Sequence, residues 1–277
     1  MGLRISTNTQ SLRAQNSMSK VEAAKSDSLA KLSSGTRINK AGDDAAGLAI
    51  SEKLKANIRG SQQATRNAGD GISMIQTAEG GMNEVSNILI RLRELSVQSA
   101  SDTVGDTERK FADLEFQNLT QEVDRIASST QFNGKDLLSG KGDNLDFQVG
   151  IMNDAKNDRL SYKPQDSSVK AADLGIEGLG VQTKANAQEN LEKIDSAING
   201  VNGNRASLGA LQNRLQSTIS NLETRTENLA AANSRIRDTD VAAESAELAK
   251  NNILSAAATS VLSQANSSGN GALKLIG

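Results

Sequence analysis

The sequence contains no cysteine and no histidine among its 277 residues. Without a thiol or an imidazole, a chain cannot build disulfides, thiolate metal sites or the Ser-His-Asp and Cys-His arrangements of nucleophilic enzymes. Carboxylate chemistry is the catalytic class that composition leaves open.

Aromatic residues are nearly as scarce, with four Phe, one Tyr and no Trp. Large aromatic rings supply much of the buried area of a thick core, so this composition favours thin helical bundles that bury apolar area against neighbours. The single proline, Pro164, leaves long tracts free to be helical, because proline breaks the interior of a helix.

Charge and hydropathy exclude two further classes of partner. The formal net charge of -2 provides no broad basic surface, so nucleic acid is not an expected partner. No run of about 18 apolar residues occurs, and no segment is therefore predicted to span a membrane. Residues 1–6 lack the continuous apolar segment of a Sec-type signal peptide.

Two long stripes of apolar residues predict helices that pair with each other. The stripe in the N-terminal half alternates steps of three and four residues, which is the a/d pattern of a coiled coil. The stripe in the C-terminal half repeats every seven residues, which favours a left-handed supercoil. We predict that the stripes meet in the seam of an antiparallel bundle. The seam residues are Ile75, Met82, Val85, Leu89 and Leu92 in the first stripe, and Leu208, Leu215 and Leu222 in the second.

The middle of the chain has a different character. An apolar stripe predicts a shorter helix over residues 107–129, but from 131 to about 180 the helical period fails. Turn signals such as Asn133-Gly134 appear there, and the alternation over 145–149 predicts a strand. The predicted fold class is therefore mainly α: an elongated antiparallel helical bundle or coiled coil formed by the N- and C-terminal halves, with one or two β-hairpins at about 131–180.

Both ends of the chain are predicted to be amphipathic helices with sparse apolar residues. Residues 1–45 and 238–265 have too little apolar area for isolated helices to be stable, and their Ala- and Ser-rich faces allow close helix packing. We expect these ends to be mobile in a monomer and ordered only when many copies associate.

A segment of twenty residues, 32–51, carries a recognisable motif, Leu-Ser-Ser-Gly-Thr-Arg-Ile-Asn-Lys-Ala-Gly-Asp-Asp-Ala-Ala-Gly-Leu-Ala-Ile-Ser. It is accompanied by Ile-Ser-Thr-Asn at 5–8, Arg-Leu-Arg-Glu-Leu-Ser-Val-Gln at 91–98, Gln-Phe-Asn-Gly at 131–134 and Ser-Arg-Ile-Arg-Asp-Thr-Asp at 234–240. In this order, and across both halves of the chain, these motifs resemble the bacterial flagellins.

The resemblance implies a structural subunit, not an enzyme, that polymerises into the flagellar filament for swimming motility and needs no cofactor or metal. It implies that 1–45 and 233–277 are inner helices of the filament core, and that 46–180 and 181–232 form an outer bundle. Because only residues 175–183 or so separate the β region from the returning helix, the chain looks like a minimal subunit without variable outer domains.

The resemblance also implies a location and a set of partners. The chain would be exported unfolded through the flagellar type III apparatus and would end in the extracellular flagellum. Its partners would be further copies of itself, a flagellar export chaperone, and the filament cap and hook–filament junction proteins. The chaperone is expected to mask apolar residues of the C-terminal region, namely Leu248, Ile253, Leu254, Val261 and Leu262.

A host innate immune receptor, the flagellin-sensing Toll-like receptor, is a further partner that the resemblance implies. The family pattern maps its contacts onto Arg91 and Leu95, one helical turn apart and expected to be exposed on a shared face, and onto Glu115 of the neighbouring helix. The alternative is that Arg91 and Glu115 form a solvated ion pair or pack between subunits.

Two other functions compete with the filament subunit. Some flagellins carry an inserted protease, but this chain lacks the variable region and has no histidine with which to build a zinc protease motif. A hook–filament junction protein shares similar end motifs, but the long segment 32–51 and the run 91–98 fit flagellin better.

Overall fold

A computed structural model of the chain describes residues 7–273, with side chains described as far as residue 267. Within that part the chain forms five α-helices and two small antiparallel strand pairs, so the mainly α fold with a hairpin region is confirmed. None of the helices described has the length and apolar character that crossing a membrane requires. The elements in chain order are α1 Thr9–Ser34, α2 Ala45–Ser99, α3 Asp106–Ser129, β1 Gln131–Phe132, β2 Lys135–Asp136, β3 Leu145–Gln148, β4 Arg159–Tyr162, α4 Lys184–Arg237 and α5 Val241–Leu273.

The chain divides into two compact units. The terminal unit is formed by Met1–Ala56 and Asn228–Gly277, and the central unit by Asn57–Glu227. The long helices α2 and α4 contribute residues to both units.

In the terminal unit, α1 and α5 pack side by side in opposite directions. The Asn8 side-chain amide donates to the Ala265 carbonyl at 2.8 Å, whereas the Thr239 N–H donates to the Gly35 carbonyl at 3.1 Å near the other end of both helices. Gly35 ends α1 with φ 69°, the left-handed cap that the Ser-Ser-Gly sequence predicts. Leu3 and Ile5, two of the sparse apolar residues of the amphipathic helix predicted over 1–45, lie outside the described residues.

A short turn between α1 and α2 is held by two aspartates. Asp44 caps α2, because its Oδ1 accepts the Gly47 N–H at 2.8 Å. The Asp43 carboxylate accepts the N–H groups of Lys40 and Asn39, both at 2.9 Å. These two backbone N–H groups lower the pKa of Asp43 below its usual 3.8, that of Lys40 having the larger effect.

The core of the central unit lies among α2, α3, α4 and the loop that precedes α4. Ion pairs join Glu79 to Arg205 and Asp102 to Lys184, so α4 runs antiparallel to α2 within this unit. All eight residues expected in the seam are buried, with at most 6% of any of them exposed: Ile75, Met82, Val85, Leu89, Leu92, Leu208, Leu215 and Leu222.

Both hairpins belong to the central unit, and β3 packs against α2. Asn133 and Gly134 turn the β1–β2 hairpin with φ values of 50° and 75°, as two-residue hairpin turns require. A Cβ at Gly71 of α2 would lie 3.0 Å from the Phe147 ring of β3, so the strand is seated on a residue without a side chain. The buried Tyr162 hydroxyl of β4 donates to the Leu137 carbonyl at 2.6 Å, and burial raises the pKa of Tyr162.

Candidate functional site

Six large apolar side chains of the helix pair α1–α5 are exposed at the surface of the terminal unit. The fully buried residues of the α1–α5 seam, within the described part of the two helices, are small or polar, namely Ser28, Asn251 and Ala265. Large apolar residues are instead exposed by 42–71%, namely Leu12 and Leu29 on α1, and Val241, Ile253, Leu254 and Val261 on α5. This arrangement leaves the apolar surface of the helix pair uncovered within one copy.

The residues expected to bind an export chaperone fall into two groups. Ile253, Leu254 and Val261 are exposed. Leu248 and Leu262 are partly buried in the α1–α5 seam. A partner could therefore reach the first three on the helix pair as it stands, but would have to separate α1 from α5 to cover the other two.

Arg91 and Glu115 meet on the surface of the central unit. The Arg91 Nε donates to the Glu115 Oε1 at 2.8 Å, and its Nη1 donates to the Glu94 Oε2 at 3.0 Å. Both Arg91 and Glu115 have nearly half of their side chains exposed. The hydrogen bonds to Glu94 and then Glu115 raise the pKa of Arg91, so the guanidinium presents a fixed positive charge flanked by two acids.

Leu95 is not exposed, and the expectation that it shares a solvent face with Arg91 is wrong. Only 2% of Leu95 is accessible, and it belongs to the core of the central unit. The reason is that Leu95 continues the apolar stripe three residues beyond Leu92, whereas Arg91 lies at the outer edge of that stripe. Of the three residues expected to bind a receptor, the structure brings Arg91 and Glu115 together at the surface.

Four exposed apolar residues lie on the two helices that carry this ion pair. Ile90 and Val97 of α2 and Phe111 and Leu114 of α3 are each exposed by 48–67%. We call these four, with Arg91, Glu94 and Glu115, the α2–α3 face. Sequence reasoning missed Phe111 and Leu114, although both fall outside the apolar stripe of α3 and could have been recognised from that.

Two adjoining clefts lie along α4 on the side of β4. Their volumes are about 370 and 410 Å³, and both are lined by Arg214. We call them together the α4 groove, and its lining includes Leu160, Tyr162, Lys163, Leu208, Leu211 and Arg214. Among residues 7–273, no group of three or more acidic side chains converges as a metal site requires.

Comparison with known proteins agrees on one family across both halves of the chain. The family described as "Bacterial flagellin N-terminal helical region" matches residues 5–143, and "Bacterial flagellin C-terminal helical region" matches residues 191–276. A flagellin of Halalkalibacterium halodurans is 48% identical over 246 residues, covering 89% of this chain and 89% of that protein. A flagellin of Bacillus subtilis is 43% identical over 303 residues, covering 99% of this chain and 100% of that protein.

Two solved structures of flagellar proteins are similar to this chain. The crystal structure of Bacillus cereus flagellin matches with a TM-score of 0.51 and 31% identity, covering 61% of this chain and 94% of that one. A putative flagellar hook-associated protein from Vibrio parahaemolyticus matches with a TM-score of 0.58 and 14% identity, covering 71% of this chain and 100% of that one. At that identity the second likeness concerns the fold alone.

Proposed function

This chain belongs to the bacterial flagellin family and is a structural subunit of the extracellular flagellar filament, not an enzyme, and from that premise we propose that its terminal unit drives polymerisation. In this proposal residues 1–45 and 233–277 line the inner core of the filament, and the segments 46–180 and 181–232 form the outer bundle. The observation that carries it is the exposure of six large apolar side chains on α1 and α5.

An exposed apolar stripe on a thin helix pair is stabilised when neighbours cover it. Burying apolar surface contributes roughly 25 cal/mol per Å², and each side chain such as Ile253, 71% exposed in one copy, has most of that area still to bury. A heterologous contact that does not close on itself builds a helical polymer. The terminal unit therefore gains its stability from assembly.

Truncation and point substitution test this role. Deletion of residues 238–277 should leave a folded monomer that forms no filaments after salt is added, as judged by electron microscopy and pelleting. Ile253→Ser should raise the subunit concentration needed for assembly, whereas Asn252→Ser, an exposed polar neighbour, should not. Long filaments from the truncated chain would refute the assignment of the ends.

The second part of the proposal concerns export. The chain passes unfolded through the type III apparatus, with its first residues as the address, and a chaperone covers Leu248, Ile253, Leu254, Val261 and Leu262 beforehand. The absence of cysteine supports this, because no disulfide has to be broken. The α1–α5 seam also supports it, because the residues that are fully buried there, within the described part of the two helices, are small or polar and bury little apolar area.

Hydrogen exchange measured with and without the chaperone tests that binding mode. Amides of residues 238–265 should become protected when the chaperone binds, and those of α3 should not change. Equal protection of 238–265 in the two samples would rule out this segment as the chaperone site.

The third part assigns Arg91 and Glu115 to a host Toll-like receptor that senses monomers. An arginine beside exposed apolar residues has the usual composition of a binding hot spot, and Ile90 and Leu114 provide the apolar contact that the buried Leu95 does not. In the filament this face packs against the next subunit, so only monomers should signal.

Reporter cells that express the receptor provide the measurement. Monomer carrying Arg91→Ala should activate them at least about tenfold less well than the unaltered chain, as expected for a hot-spot arginine. Arg125→Ala is the matched control, because Arg125 forms a similar exposed pair with Glu122 on α3. An inert unaltered monomer, or equal activity of the Arg91 variant, would remove the receptor from the list of partners and leave the filament function intact.

A further inference from the structure

We propose that Asn133, in the turn of the β1–β2 hairpin, is a site of spontaneous deamidation, through which an assembled subunit acquires a permanent mark of its age. The reaction needs the Asn133 side chain, the backbone of Gly134 and water, and it needs no partner protein. The proposal goes beyond the filament function, from which it takes only the extracellular location of the subunit.

The reaction begins when the backbone nitrogen of Gly134 attacks the side-chain carbonyl carbon, Cγ, of Asn133. A bond forms between that nitrogen and Cγ, the bond between Cγ and Nδ2 breaks, and the amide nitrogen leaves as ammonia with the proton of the attacking N–H. The product is a five-membered succinimide ring. Water then opens the ring at one of its two carbonyl groups. Opening at Cγ gives aspartate at position 133, and opening at the main-chain carbonyl gives isoaspartate, in which the chain continues through Cβ and Cγ.

An Asn-Gly pair favours closure of this ring, because glycine has no Cβ to obstruct the approach of its nitrogen. The sequence holds four such pairs. Three of them lie in helices, namely Asn199-Gly200 and Asn202-Gly203 in α4 and Asn270-Gly271 in α5. The pair Asn133-Gly134 lies in a turn, so the fold distinguishes it from three pairs of identical composition.

The turn leaves both reacting groups accessible. Asn133 and Gly134 are exposed, and an added Cβ at Gly134 would meet open space, so the ring can form without a steric clash. Within the described part of the chain, neither the Asn133 side chain nor the Gly134 N–H makes a hydrogen bond. No hydrogen bond of either group therefore has to be broken before the nitrogen attacks.

The two pairs in α4 provide the contrast. Asn199, Gly200, Asn202 and Gly203 are exposed as well, but a glycine N–H in the interior of a helix donates to the carbonyl four residues earlier. Attack by these nitrogens requires local opening of the helix, which lowers the rate in proportion to the population of the open form. We expect Asn133 to react at least about tenfold faster than Asn199 or Asn202.

The products change the hairpin in two ways. Both of them place a negative charge at position 133. Isoaspartate also lengthens the main chain by one atom within a two-residue turn, and such a turn fixes the register of the strands that it joins. The pairing of Phe132 with Lys135, which closes the turn, should therefore be disrupted. Because the filament lies outside the cell, enzymes inside the cell cannot reverse the change, and the products accumulate.

Mass spectrometry of aged protein tests the proposal. Filaments and monomers of the unaltered chain are incubated for weeks at mildly alkaline pH, digested at acidic pH and analysed for a gain of one mass unit and for isoaspartate. The peptide that contains Asn133 should gain both with time, and faster at higher pH, because hydroxide removes the proton from the attacking nitrogen. The peptides that contain Asn199 and Asn202 are internal controls in the same digest and should react at least about tenfold more slowly.

The variant Asn133→Gly tests the structural consequence. It removes the reacting side-chain amide and keeps a residue that accepts a positive φ at this position. In the unaltered chain, the amides of Phe132 and Lys135 should lose protection from hydrogen exchange as isoaspartate accumulates. In Asn133→Gly their protection should not change with age.

The outcomes separate this reaction from the filament function. Equal rates at Asn133, Asn199 and Asn202, or an Asn133 peptide that stays unchanged in both samples, would overturn the assignment of the site. Deamidation in monomers but not in filaments would overturn its role as a mark of age. Polymerisation is tested separately, by the truncation of residues 238–277.

Discussion

At the scale of single residues, two charged side chains of α3 are built into the core of the central unit. Arg109 is buried and donates from Nε to the Ser99 carbonyl and from Nη2 to the Ser101 carbonyl, both at 2.9 Å. Asp113 accepts the Val181 N–H at 2.8 Å. Arg109 therefore satisfies carbonyl groups at and just after the end of α2. Asp113 anchors the loop before α4. Both side chains have hydrogen-bond partners, as buried polar groups require.

Sequence reasoning did not find these two residues, since charge in a helix usually indicates a solvated face. The signal was present in their spacing. Arg109 and Asp113 continue the same steps of three and four that place Phe116 and Val123 in the core. Their burial depends on carbonyls and N–H groups from other segments, which a helical period alone does not reveal.

Leu215 offers a direct test of the seam. It is completely buried, and Leu215→Ala should lower the free energy of unfolding by about 2–5 kcal/mol, as measured by denaturant titration. Gln216→Ala, an exposed neighbour in the same helix, is the control and should change it by well under about 1 kcal/mol. An unchanged stability for the leucine variant would show that the seam is not packed as described.

Asp43 should make the turn between α1 and α2 sensitive to acid. Because its folded pKa lies below the usual value of 3.8, the carboxylate stabilises the turn at pH values above 3.8, and this contribution is lost as pH falls through the folded pKa. Assembled filaments should therefore show falling amide protection at Asn39 and Lys40 below that pH.

The variant Asp43→Asn separates this effect from general acid unfolding. It should reduce protection at Asn39 and Lys40 at neutral pH and should remove the pH dependence there. Asp70→Asn, an exposed carboxylate in α2, controls for the change in net charge. Retained pH dependence in the Asp43 variant would assign the acid sensitivity to another group.

At the scale of elements, the apolar periods predicted the long helices but not their full extent. The seam of 75–92 is part of one continuous helix, α2, which begins at Ala45 and has 55 residues. Its six glycines argue against such length on propensity alone. Tertiary packing overrides that preference, for example at Gly71, where only a glycine leaves room for Phe147.

Glycines in α4 have no such packing role. Replacing them by alanine should therefore change the free energy of unfolding in the opposite direction to the same replacement at Gly71. An added Cβ at Gly200 or Gly203 would meet open space, so Gly200→Ala and Gly203→Ala should each raise the free energy of unfolding by about 0.5–1 kcal/mol. Gly71→Ala should lower it, because the new methyl group would press on the Phe147 ring at 3.0 Å. Thermal or denaturant unfolding of the three variants measures the signs, and a destabilised Gly200 variant would show that α4 needs a glycine there.

The hairpins were partly readable from the sequence. The Asn-Gly pair at 133–134 and the alternation at 145–149 located the first turn and the third strand. The partner strand β4 was not predicted, because Arg159–Tyr162 is too short to show a clear period and its pairing with β3 is a non-local contact. The exposure of Phe111 and Leu114 was not predicted either. It depends on which other segments of the chain leave that side of α3 uncovered, and this is also a non-local property.

At the scale of the whole molecule, the two units differ in what holds them together. The extended apolar core lies entirely within the central unit, whereas the described part of the terminal unit buries little more than small and polar residues along α1 and α5. The central unit should therefore be stable by itself, and the terminal unit should depend on its neighbours.

Expression of Asn57–Glu227 alone tests this division. The fragment should fold, and its melting temperature should lie within a few degrees of that of the full monomer, as followed by circular dichroism at 222 nm. Amides of α1 and α5 in the full monomer should exchange much faster than those of the α2–α4 seam. A fragment that is unfolded at room temperature would show that the terminal segments support the central core.

The hydrogen bond between Tyr162 and the Leu137 carbonyl has an optical consequence. Tyr162 is the single tyrosine of a chain without tryptophan, so tyrosine fluorescence and the ultraviolet signature of phenolate formation both arise from one ring. That ring lies in β4, and its hydroxyl is bound to the segment that follows the first hairpin. Tyrosine emission and the alkaline titration of the phenol therefore report on the packing of the hairpin region alone. No other part of the chain contributes a tyrosine or tryptophan signal.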